Sequence, residues 1–121
     1  MFASGKLLAQ ANVTSSTASA IYTNSAAGLP VEITLIIAVN NDSTTPVDIH
    51  LYHDDAGGST FSNGTQISYE TLTAKATATI IFQSHAPGVG IPLADGAQIG
   101  AKLSATGDVT VSIYGAPRQA R

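Results

Sequence analysis

The sequence predicts an all-β fold: an antiparallel β-sandwich of about eight short strands, with a jelly roll as one form it can take. Three observations predict it. Apolar and polar residues alternate at period two through most apolar stretches. Clusters of Gly, Asn, Ser and Pro separate those stretches at short intervals. No segment carries a helical stripe. The best helix candidate, Thr73 to Thr79, alternates three alanines with Lys75 and β-branched threonines, which suits a strand better.

The elements follow in order. Lys6 to Ala11 is a first strand or an arm. Thr17 to Thr23 is a second strand, with Ala18, Ala20 and Tyr22 on one face. Val31 to Val39 is the clearest, with Val31, Ile33, Leu35, Ile37 and Val39 facing in and Glu32, Thr34, Ile36 and Ala38 facing out. The turn-rich loop Asn40 to Pro46 leads to Val47–Tyr52, where Val47, Ile49 and Leu51 face in and Asp48, His50 and Tyr52 face out. Gln66 to Leu72 is entered through the turn Asn63-Gly64. In Ala76 to Phe82, Ala78, Ile80 and Phe82 share a face. Gln98 to Ser104 turns Ile99, Ala101 and Leu103 inward, and Asp108 to Tyr114 turns Val109, Val111 and Ile113 inward. Ala105-Thr106-Gly107 between them reads as a hairpin connection. Residues 1–12 form an N-terminal arm or first strand, residues 13–116 one sandwich domain, and residues 117–121 a flexible tail.

Composition narrows the function classes. The chain has 121 residues, enough for one domain with a real core, and no cysteine, which excludes disulfides and thiolate metal sites. Charged residues are 11% of the chain, against roughly 25% in an average soluble domain. Such a surface suits a protein that stays packed against neighbours. Five basic residues and a net charge of −3 argue against nucleic-acid binding through phosphates. No apolar run approaches the ~20 residues needed to span a membrane. Ala9-Gln10-Ala11 has the form of a signal-peptidase site, but the apolar run before it is too short. Synthesis in a cytoplasm without a Sec export signal is expected.

No catalytic or metal motif emerges. His50 and His53 lie three positions apart and point to opposite faces of a regular strand, and His85 lies in a distant loop. Asp54-Asp55 lacks the D-x-D-x-D spacing of a calcium loop, even with Asp42 and Asp48 nearby. There is no G-x-S-x-G elbow around a serine, and nothing pairs Glu32 with Glu70 for glycoside hydrolysis. Gly88-Val89-Gly90 does not sit between a strand and a helix, as a phosphate cradle would. The chain is therefore expected to be no enzyme and to hold no cofactor or metal. Tyr52, Tyr69, Tyr114 and Phe61 are candidates for a sugar-stacking platform, weakened by the absence of Trp; cross-strand packing or a subunit interface is the other use.

Three stretches together carry a resemblance. Gly5-Lys6-Leu7-Leu8-Ala9-Gln10-Ala11-Asn12 leads into Ala20-Ile21-Tyr22-Thr23; the strand Val31 to Val39 ends in Asn40-Asn41; and Gly90-Ile91-Pro92-Leu93-Ala94-Asp95-Gly96-Ala97-Gln98-Ile99 is closed by Val109-Thr110-Val111-Ser112-Ile113-Tyr114-Gly115. This order resembles a group of small bacteriophage virion structural proteins, over nearly the whole chain. The resemblance implies a β-sandwich that assembles on the virion, foremost as a capsid decoration (cement) protein. The implied partners are the major capsid protein or other virion proteins, and copies of the chain itself in a homo-oligomer, a trimer first. A tail, neck or baseplate component, or a carbohydrate-binding sandwich, are the alternatives. Phe2, Leu7, Leu8, Tyr52 and Tyr114 are the expected interface residues, with the arm Phe2 to Ala11 adding a strand to a neighbour's sheet edge.

Overall fold

The structure, a computed structural model, describes residues 6–25, 30–74, 78–84 and 90–117. Among them there is no helix. Nine strands run β1 (Lys6–Val13), β2 (Ser19–Thr23), β3 (Val31–Asn40), β4 (Val47–Asp54), β5 (Gln66–Leu72), β6 (Thr79–Gln83), β7 (Ile91–Leu93), β8 (Gln98–Leu103) and β9 (Val109–Pro117). Two antiparallel sheets pack face to face. Sheet A has the order β1-β9-β3-β6, with β7 continuing the β6 edge of β3; sheet B has the order β2-β8-β4-β5. The antiparallel pairs β1–β9, β2–β8, β3–β6 and β4–β5 nest one inside the next and roll into two sheets, which is the jelly-roll arrangement.

The inward residues of both sheets form one core. Val31, Ile33, Ile36, Val109, Val111 and Ile113 of sheet A meet Ile49, Leu51, Leu72, Ile99 and Leu103 of sheet B. Each such fully buried side chain contributes about 1.5–3 kcal/mol relative to exposure.

Four expectations fail in detail, each for a physical reason. Ala105-Thr106-Gly107 is not a hairpin. β8 belongs to sheet B and β9 to sheet A, so residues 104–108 arch across the gap of about 10 Å between sheets. The Ser104 amide donates to the Asp48 carbonyl on one side, and the Gly107 amide to the Thr14 carbonyl on the other. The inward set of β3 also changes partway. Its register on β9 slips between Ile33 and Leu35, so Ile36 and Ala38 are buried while Leu35, Ile37 and Val39 turn outward. The same device acts in β6, whose register on β3 slips between Ile80 and Phe82. Ile80 faces out and Phe82 packs on the core. In β2 a slip between Ala20 and Tyr22 leaves Ala20 exposed and lets Ile21 and Tyr22 both pack inward.

The boundaries shift as well. Residues 6–13 are not a free arm but an edge strand held along β9. β9 runs on to Pro117. β7 is an addition, only three residues long with Pro92 at its centre, and it lies on an edge where a missing N–H does no harm.

Candidate functional site

The two outer faces of the sandwich differ in chemistry. On sheet A, neighbouring strands place Leu7 (β1), Tyr114 (β9) and Leu35 (β3) in one row, and Ile37 (β3) and Ile80 (β6) in the next but one. Val39 follows on β3 opposite Thr110. Leu7 is 48% exposed and Ile80 54%. The polar groups among these rows are uncharged: the Gln10 amide donates to Ser112 Oγ at 2.9 Å, and Thr110 Oγ1 lies at the long limit of a bond to Asn12 Oδ1. The result is an apolar strip, bordered on the same outer face by Glu32, whose Oε2 accepts from the Gly90 amide at 3.0 Å.

Sheet B is polar and aromatic. Asp48, His50, Tyr52 and Asp54 alternate along β4; Gln98, Gly100 and Lys102 stand beside them on β8, and Gln66, Tyr69 and Thr71 on β5. Tyr69 donates its hydroxyl to Asp48 Oδ2 at 2.6 Å, and Thr71 donates to Asp48 Oδ1 at 2.8 Å. These two hydroxyls, with His50 nearby, hold the Asp48 carboxyl below its usual range. His50 packs perpendicular to Tyr69 at 4.5 Å between ring centroids, and its Nδ1 shares a hydrogen bond of 2.9 Å with Gln66 Oε1.

Tyr52 points outward, as its position in the alternation requires, yet it is only 2% exposed. The loop between β4 and β5 folds back over the sheet and lays Phe61 beside it, with ring centroids 6.0 Å apart. Gly100 makes room for this cover: a Cβ there would stand 2.6 Å from the Phe61 ring. Tyr52 is thus a packing residue and offers no surface for a sugar or a subunit. Period-two patterning could not reveal this, because the cover comes from a loop.

Asp54 anchors that loop. Its Oδ2 accepts from the Thr60 amide at 2.8 Å and its Oδ1 from the Ala56 amide at 3.0 Å. Gln98 Oε1 accepts from the Ser59 amide and hydroxyl. The Thr60 amide foremost holds the Asp54 carboxyl below its usual range. Both oxygens accept from the loop, and Asp54 holds it against the sheet. Asp42 plays the same part in the β3–β4 loop, where the amides of Thr44 and Thr45 lower its carboxyl. His50 and His53 stand on opposite faces of β4; His53 Nε2 lies 3.7 Å from Asp55 Oδ1. Among the described residues no three His, Asp or Glu side chains converge as metal ligands would. His85 lies outside those residues.

A pH dependence follows from the three lowered carboxyls. A carboxyl depressed in the folded state stabilises above its unfolded value and loses that contribution as pH falls through the folded one. The urea midpoint is expected to stay flat from pH 7 to about 5 and to fall below about 4. Amide exchange at Ala56 and Thr60 should rise first in that limb, and Asp54→Asn should flatten it. An acid limb unchanged in Asp54→Asn would show that the anchor is not a carboxylate effect.

Of the expected interface residues, Leu7 and Tyr114 fall together on the apolar face of sheet A. Leu8 sits at a slip in the β1–β9 register and packs toward the core. Phe2 lies outside the described residues. Leu35, Ile37 and Val39, expected inside, belong to the apolar face, as does Ile80, expected on one face with Phe82; only the register slips reveal them. A second apolar feature is a cleft of about 220 Å³ at the β5–β6 opening between the sheets, lined by Ile36, Leu51, Ile67, Ser68, Ile81, Phe82 and Ile91.

No protein-family model, curated protein or solved structure matches the chain.

Proposed function

We propose that the chain is a non-catalytic packing subunit of a bacteriophage particle, a capsid decoration protein that binds the assembled head as a homo-oligomer, a trimer first. The observation that carries this reading is the apolar strip on the outer face of sheet A. Its exposed members Leu7 and Ile80 and its partly exposed members Leu35, Ile37 and Tyr114 make a surface that a lone domain leaves uncovered. Jelly rolls recur in viral shells, and that support is by analogy of fold. The resemblance of the sequence to small virion proteins points the same way.

Docking would bury the face as a flat, mostly apolar patch, and several copies on one shell multiply a modest affinity. Residues 6–11 already pair with β9 along one side, so strand addition by this segment would use the outer edge of β1. Leu8→Asp would disturb the core, so the test uses Leu7 and Ile80. The double variant Leu7→Lys, Ile80→Lys is expected to keep its β-sheet circular dichroism and to lose at least tenfold in affinity, about 1.4 kcal/mol. Affinity is read by co-sedimentation with empty capsids of a phage encoding the chain, and oligomer mass by light scattering. A wild-type monomer that ignores capsids would overturn the decoration reading.

A further inference from the structure

We propose that the outer face of sheet B binds an acidic saccharide, with Tyr69 as the stacking platform and Lys102 as the partner of the sugar carboxylate. The inference is independent of the packing role, because it concerns the opposite face of the sandwich.

Four observations converge. Tyr69 is 51% exposed, yet it does not swing freely: Asp48 holds its hydroxyl at 2.6 Å and His50 meets it at a right angle. A ring fixed before binding loses little entropy when a pyranose stacks on it. Polar side chains with remaining hydrogen-bonding capacity flank the ring. His50 uses Nδ1 on Gln66 Oε1, which leaves its Nε2 and the Gln66 amide nitrogen for sugar hydroxyls. Lys102 stands directly across from His50 on the neighbouring strand, and Tyr69 directly across on the other side. The three residues therefore form a row across three strands, spanning two spacings of about 4.8 Å.

Charge selects an acidic ligand over a neutral one. Among the described residues Lys102 has no carboxylate at ion-pair distance. Asp48 belongs to the next row, and its two oxygens accept from the Tyr69 and Thr71 hydroxyls. The row Lys102–His50–Tyr69 thus offers a cation at one end and an aromatic face at the other, matched to a sugar that carries both a carboxylate and an apolar ring face. Phe61, raised on its loop above Gly100, borders the row on one side.

The test is an amide-resolved NMR titration with tetragalacturonate, and with neutral galactotetraose as its uncharged counterpart. The acidic oligomer is expected to shift the signals of His50, Tyr69 and Lys102 saturably, and the neutral one to bind at least tenfold more weakly. Tyr69→Ala should lose binding while keeping the fold, since the side chain is half exposed on an edge strand. Lys102→Gln should erase the preference for the acidic oligomer. The proposal is overturned if tetragalacturonate, alginate and polysialic acid all leave these signals unmoved, if neutral and acidic oligomers bind alike, or if Tyr69→Ala binds as well as the wild type.

Discussion

Gly115→Ala is expected to destabilise the protein by about 3 kcal/mol or more, at the top of the range for overpacking. Gly115 sits in β9 between Lys6 of β1 and Ile33 of β3, in the middle of sheet A. A Cβ there would stand 2.1 Å from the Glu32 carbonyl oxygen and 3.0 Å from Ile33 Cα. Both are backbone atoms of a central strand and cannot rotate aside as a side chain would. The close approach adjoins the register slip of β3, so relief would require β3 and β9 to separate where the slip turns Leu35 outward. With a urea m-value of about 1.5 kcal/mol/M, the midpoint should fall by about 2 M. Gly64→Ala serves as a control: its nearest neighbour is Ser62 Oγ at 3.8 Å, and a change within about 0.5 kcal/mol is expected. Equal midpoints for the two variants would mean that sheet A adjusts without strain.

Asn40→Ala is the second large effect, about 2–3 kcal/mol. Asn40 is 2% exposed at the end of β3. Its amide nitrogen is placed to donate to the carbonyls of Thr45, Leu72 and Thr73, and its Oδ1 accepts from the Asp42 amide. One side chain thus ties the end of β3, in sheet A, to the β3–β4 loop and to the end of β5, in sheet B. Alanine would strip partners from one buried and three partly buried backbone groups at once, and no smaller polar residue spans the same set. Hydrogen exchange separates this from a simple cavity. The Asp42 amide should lose protection together with amides around Leu72, while β8 and β9 stay protected to the global limit. Loss confined to the Asp42 amide would count against the cross-sheet tie.

Much of the fold was legible because its signal is local. Alternation located all eight long strands, Gln66–Leu72 to the residue, and it identified Ile49, Leu51, Ile99, Leu103, Val111 and Ile113 as inward. What alternation lacks is any statement of which sheet a strand joins. Ile99–Leu103 and Val109–Ile113 present the same pattern whether they pair as a hairpin or face each other across the core. Register slips were invisible for a related reason. The run Leu35-Ile36-Ile37-Ala38-Val39 is apolar on both faces, so a one-residue shift leaves no polar residue out of place. Of the candidate sites, Leu7, Tyr69 and Tyr114 could be found by position alone. The covering of Tyr52 could not, since it depends on Phe61 nine residues away and on the missing side chain of Gly100.

The rolled topology also fixes the order in which the molecule can be completed. β9, the last strand of the sandwich in chain order, is not an edge but the strand between β1 and β3. Until residues 109–117 emerge, β1 and β3 have no neighbour in common, and the pairing of Gln10 with Ser112 spans almost the whole chain. Closure of sheet A is therefore dominated by distant contacts, which makes folding slow for a domain of this size. During that interval the apolar edges of β3 lie open to other nascent chains. Temperature and protein concentration then bear on the yield of folded protein.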